Sequence, residues 1–121
     1  MSIEVPLHGV AHGRAGDKGN RSNISVIPYL PSAYPHLLKQ VTEERVVKIF
    51  SHRGVKMVKR YELPNLPALN FVIDDVLEGG VNNSLSVDTH GKTLSFFLLG
   101  EITVFVPPLC LPRASPYLNN R

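Results

Sequence analysis

The residues of this 121-residue chain best suited to chemistry lie together in GRAGDKGNRSN, from Gly13 to Asn23. The stretch carries three glycines, three positive charges, one carboxylate and two carboxamides. Its glycines recur at every third position, which matches neither the dinucleotide pattern G-x-G-x-x-G nor a P-loop, because Lys18 precedes its glycine and no Ser or Thr follows in the required place. Glycines let successive backbone amides turn toward one point, and Arg14, Lys18 and Arg21 would surround that point with charge. The pattern reads as a cradle for an anion, with Arg14, Gly16, Lys18, Gly19, Asn20 and Asn23 as ligand-binding candidates. The same residues also suit a plain hairpin loop in which Asp17 accepts backbone amides and the basic side chains are solvated.

His8 and His12 differ by an even count, so a regular strand would put both on one face, toward the base of this loop. Imidazole titrates near neutrality, which makes either one a candidate general base, and Asp17 and Lys18 complete the catalytic candidates with His12. A pair of metal ligands needs a third, and Asp17, His52, Asp74, Asp75, Asp88 and His90 offer no diagnostic spacing, so neither metal nor cofactor is expected. Nucleophilic catalysis finds no G-x-S-x-G, and nothing near Cys110 would depress its pKa. Asn70 and Asp74 interrupt an apolar run, where polar groups are either paired for structural reasons or line a pocket.

The elements that must position these groups fit one domain over residues 1–106 with a proline-rich arm over 107–121. Hydrophobic residues make up 43% and charged residues 19% of the chain, a globular balance. A net charge of +3, spread rather than blocked, suits a small anionic metabolite at least as well as a nucleic acid. The GxxG units resemble an RNA clamp that joins two helices, but here the flanks read as strands, which argues against RNA. One cysteine precludes an internal disulfide framework, and no apolar run reaches the roughly 20 residues of a membrane span, so a reducing, cytoplasmic setting is expected.

Ile3–His12 reads as an outer strand carrying Pro6, joined through the long glycine loop to a second strand from Asn23. Ser32–Val41 and the segment after Thr42 have helical spacing, as one kinked helix or two short ones. Val55–Glu62 and Ala68–Asp74 read as strands, the latter with Leu69, Phe71 and Ile73 on one face. A loop from Glu78, a short strand from Ser84, a helix through Leu94, Phe97 and Leu98, and a strand from Ile102 follow. After the first strand the order is β, α, β, β, α, β, which predicts an α+β, ferredoxin-like antiparallel sheet with helices on one face plus an extra N-terminal strand. Prolines in the tail cannot continue a sheet interior, so the tail is expected to be disordered or to lie on a partner.

The blocks AHGRAGDKGNRSNISVI and RYELPNLPALNFVIDDVLEGGVNNSLSVDTHGKTLSFFLL together resemble the small C-terminal domain of the AtuA-like proteins of acyclic terpene utilisation, here from about His8 to Leu99. By position, the motif residues are Arg14, Gly16, Asp17, Lys18, Gly19, Asn20 and Asn23, then Asn70, Gly79 and Gly80; Glu78 departs from the glycine run. The resemblance implies a ferredoxin-like fold and a setting in the breakdown of terpenoid and branched acyl compounds through coenzyme A thioesters. Combined with the loop, it leads to the expectation of an accessory or catalytic subunit binding an acyl-coenzyme A or carboxylate. The competing expectation is a non-catalytic assembly module, forming a homo-oligomer or joining a larger AtuA-type partner.

Overall fold

Leu7 and Val10 are both wholly buried, yet residues three apart fall on opposite faces of a strand. The chain resolves this with a 3-10 turn, in which positions i and i+3 eclipse. In the computed structural model, which describes residues 2–18, 21–51, 55, 57–63, 65–74, 95 and 97–118, β1 (Ile3–Pro6) therefore ends before a 3-10 turn at Leu7–Gly9. β2 (Ala11–Lys18) begins after it, so the expected single strand from Ile3 to His12 is two.

β2 continues straight through the glycine segment and pairs antiparallel with β3 (Arg21–Pro28), Lys18 standing opposite Arg21. The expected long loop is thus mostly ladder, with two residues between its last partners. The helical stretch divides into α1 (Tyr34–Gln40) and α2 (Glu43–Phe50) because buried Val41 leaves helical backbone at φ −95°, ψ 82°. Thr42 then caps α2, its Oγ1 accepting from the Arg45 amide at 3.2 Å. β4 (Val58–Glu62), β5 (Leu69–Asp74), helical residues 95 and 97–101 (α3) and β6 (Thr103–Val106) complete the order. The expected loop at Glu78 and strand at Ser84 lie outside the described residues.

The four-stranded sheet runs β2-β3-β5-β4 with antiparallel neighbours, and β1 pairs with β6 in a separate two-stranded sheet. The fold is α+β, with antiparallel sheets and, among the described residues, three α-helices. Ile24, Val26, Leu69, Phe71 and Ile73, all inaccessible, form one sheet face that shares a core with Leu37, Val46 and Phe50 of α1 and α2 and with Leu98 of α3. Gly13 lies under α3: a Cβ there would stand 2.8 Å from Ser95 Oγ and 3.1 Å from Leu99 Cδ1.

Side chains tie the helices to backbone that would otherwise lack partners. Gln40 imitates a neighbouring strand for β6, its Nε2 donating to the Phe105 carbonyl and its Oε1 accepting from the Phe105 amide, each at 2.7 Å. Arg45 Nη2 donates to the Thr103 carbonyl at 2.9 Å. Arg60 Nη1 donates to the Leu38 and Val41 carbonyls at 2.8 and 2.9 Å, satisfying the end of α1.

The tail over 107–118 is not a detached arm. Cys110 and Leu111 belong to the core, the Cys110 thiol donates to the Ser32 carbonyl at 3.4 Å, and Tyr117 and Leu118 pack against that core. Its prolines start a 3-10 turn at Pro108–Cys110 instead of a strand, which turns Cys110 and Leu111 inward.

Candidate functional site

Side chains alternate across a strand, so the register that buries Ile24 and Phe71 sends the intervening residues to the opposite face, away from α1, α2 and α3. One row across that face reads Arg14, Ser25, Asn70, Tyr61, and the next reads Gly16, Asn23, Val72, Lys59. His12 stands opposite Ile27 in the row before them. Adjacent strands are about 4.8 Å apart, so each full row spans roughly 14 Å. His12, Arg14, Gly16, Asn23, Lys59 and Tyr61 are exposed, while Ser25, Asn70 and Val72 are half-buried.

The register thus brings His12, Arg14, Gly16, Asn23 and Asn70, distant in sequence by up to 58 positions, onto one surface. Lys18 and Arg21 form the next pair of the ladder, and Arg21 is opposite Asp74 in turn. Asp17 stands opposite Ser22, in the alternate set of rows that contains Ile24 and Val26. Gly19 and Asn20 lie outside the described residues. The extended backbone of 13–18 changes the expected chemistry: a nest of amides requires alternating helical and left-handed residues, whereas a ladder sends successive amides to opposite sides. Any anion on this surface is met by side chains, not by a ring of amides from residues 13–18.

Ser25 Oγ donates to Asn70 Oδ1 at 3.1 Å, which pairs the polar residue of β5 and holds its amide in the middle of the row. Gly16 has nothing within 4 Å of the place a Cβ would occupy, and its φ is not in the left-handed region. Neither its backbone conformation nor packing among the described residues therefore demands a glycine there. Glycine in a strand interior weakens the strand and often marks the close approach of another group.

The 3-10 turn removes His8 from the alternation of β2, so His8 and His12 do not share a strand face. His12 stacks on Tyr29, ring centroids 5.5 Å apart at 29°, and His8 lies 6.1 Å from Tyr117 at 58°. Tyr29 and Tyr117 both line a cleft of about 310 Å³ between the 3-10 turn at Leu7–Gly9, the end of β3 and the tail. A larger groove of about 560 Å³, at β4 and α2, is lined by Glu43, Glu44, Glu62 and Arg60, and Arg60 is occupied with α1 and with Glu43 Oε2, which accepts its amide hydrogen at 2.7 Å. It contains none of the expected site residues.

Sequence spacing did not single out Ser25, Tyr29, Lys59, Tyr61 or Tyr117. A usable signal for the first was Gly19-Asn20 between two strand-like runs, a two-residue hairpin connection whose recognition places Ser25 opposite Arg14. Among the described residues, no group of three His, Cys, Asp or Glu side chains gathers where it would hold a metal, and no helix is long and apolar enough to cross a membrane.

No curated protein and no solved structure matches the chain. A protein-family comparison matches the AtuA ferredoxin-like domain over residues 5–104, from the middle of β1 into β6, and so takes in every strand of the exposed face. With that much of the fold covered, the chain belongs to the AtuA ferredoxin-like domain family.

Proposed function

We propose that this chain is a small accessory or catalytic subunit that binds an anionic acyl metabolite, a carboxylate or a coenzyme A thioester, on the exposed face of its four-stranded sheet. The observation that carries the reading is Gly16, a strand-interior glycine that nothing among the described residues requires, set one row from exposed Arg14 and in the same row as exposed Asn23. Arg14 supplies a planar cation suited to a carboxylate or phosphate oxygen pair, and Gly16 leaves room for the ligand to approach the sheet. Asn23 and the Ser25-held Asn70 offer hydrogen bonds, and Lys18 ends β2 one row beyond Gly16. His12, exposed in the row before Arg14, is the group on which any proton transfer at this face would rest.

Isothermal titration with acetate, inorganic phosphate and acetyl-coenzyme A tests this. Arg14→Ala should weaken whichever ligand binds by about ten-fold or more, the worth of a charge-assisted hydrogen bond. Gly16→Ala should weaken it without lowering the melting temperature. Equal affinity in wild type and Arg14→Ala would refute the reading. Leu109, 88% exposed, and Phe105, 54% exposed, favour a second reading as an assembly module. Sedimentation of the wild-type protein at increasing concentration checks it: a constant monomer mass removes the self-associating form.

A further inference from the structure

The cleft between the 3-10 turn at Leu7–Gly9 and the tail is a second concavity, separate from the sheet face but joined to it through Tyr29. Its walls are His8, Tyr29, Pro112, Ser115, Pro116 and Tyr117. Two phenol rings and two pyrrolidine rings present flat, rigid surfaces, and the phenol and imidazole groups add hydrogen-bonding edges. At about 310 Å³ it lies at the lower end of the size range of small-ligand sites. The tail builds this wall from core anchors: Leu111 is buried, and Tyr117 covers Gly9, where a Cβ would come within 2.9 Å of the Tyr117 ring. The wall is therefore a fixed part of the fold.

Tyr29 connects the cleft to the sheet. It lines the cleft and also carries His12 in a 5.5 Å stack, and Arg14 follows His12 by two residues on the same exposed face, about 7 Å farther along the strand. A flat aromatic surface and a cation are thus separated by on the order of 10 Å, with an imidazole between them.

We propose that the cleft binds a planar heteroaromatic ring whose anionic group reaches the sheet face, the ligand being of the nucleoside phosphate class. The inference rests on the reading of the sheet face as an anion site and adds the ring-binding half. Ring against Tyr29 and Tyr117, phosphate against Arg14 and sugar across His12 match the order and spacing of the protein groups.

The test is titration of the full chain with adenosine 5′-monophosphate, inorganic phosphate and octanoate, followed by heteronuclear NMR and calorimetry, on wild type, Tyr29→Ala, Tyr29→Phe and Arg14→Ala. Tyr29 is 48% exposed, so its truncation should leave the fold intact, and the melting temperature checks this. The expected result is that the nucleotide shifts resonances of Gly9 and Tyr117 as well as Arg14. Tyr29→Ala should weaken the nucleotide about ten-fold, as loss of one stacking partner does, and leave phosphate unchanged, while Tyr29→Phe keeps most of the affinity. A nucleotide that binds no tighter than phosphate, or one indifferent to Tyr29→Ala, overturns the ring site while the sheet-face reading stands. Octanoate shifting the cleft resonances in place of the nucleotide also overturns it, assigning the cleft to an alkyl chain. Phosphate and nucleotide both indifferent to Arg14→Ala would instead remove the anion site on which the inference rests.

Discussion

Gly13 and Gly16 belong to the same glycine-rich segment, yet replacing each with alanine should move stability in opposite directions. At Gly13 the new methyl would stand 2.8 Å from Ser95 Oγ, 3.1 Å from Leu99 Cδ1 and 3.3 Å from the Ser25 carbonyl oxygen. Ser95 is buried and Leu99 nearly so, which leaves α3 little room to give. Overpacking of this kind costs about 1–3 kcal/mol. Removing a glycine from the unfolded chain returns about 0.4–1 kcal/mol, so the net loss should be roughly 1–2 kcal/mol. At Gly16 no atom lies within 4 Å of the methyl, and the backbone is an ordinary strand, so only the return survives, a gain of about 0.4–1 kcal/mol. For a domain of this size 1 kcal/mol corresponds to roughly 3–6 °C. Differential scanning calorimetry of the two variants should show Gly13→Ala melting about 3–12 °C below wild type and Gly16→Ala about 1–6 °C above it. A drop for Gly16→Ala comparable to that for Gly13→Ala would refute the argument, because it would mean that Gly16 faces packed structure and that the sheet face is not open.

Two further outcomes follow from the packing of the helices. Gln40→Ala removes both 2.7 Å hydrogen bonds to Phe105 and leaves the backbone of β6 unpaired at that point, which should cost about 1–2 kcal/mol in chemical denaturation; an unchanged midpoint would show that water replaces the glutamine without loss. Burial, reinforced by Glu62 and opposed by Arg60, holds the Tyr34 phenol above its ordinary pKa of 10.0. Below pH 10 the phenol is neutral in folded and unfolded chains alike and stability is unaffected; above it the unfolded chain ionises first, so stability should fall as pH rises through the folded value. Tyr34→Phe should flatten that alkaline decline in melting temperature, and an identical decline in the variant would assign it to other groups.

How far composition and spacing reach is clearest at β5. Leu69, Phe71 and Ile73 alternate with polar or smaller residues, and the structure buries those three completely. Thr42 announces the start of α2 in the same local way, since an N-cap needs only its own next three residues. The two-residue gap between Lys18 and Arg21 was also present in the letters, as Gly19-Asn20, but the three-residue glycine spacing competed with it and pointed to a loop. Pro6 on its own is compatible with one strand running through it. The turn that follows depends on the burial of Leu7 and Val10, a demand made by the core rather than by the residues themselves.

Local composition specifies the class of the fold, the apolar faces of its strands and the residue types that can meet an anion, because each of these depends on neighbours within a few positions. Which of those residues share a surface is set by strand register, a property of the folded sheet. Register passes from β2 to β3 to β5 to β4, and a shift of one residue anywhere in that series would have sent Arg14 or Asn70 to the core side. The tail was undecided in the sequence for a related reason. Its prolines forbid a strand, but whether Cys110, Leu111 and Tyr117 find cover depends on an apolar surface formed by residues more than 70 positions earlier, around Gly9 and Ser32. Long-range burial of that kind has no local signature, and here it builds both the wall of the cleft and its connection to the sheet.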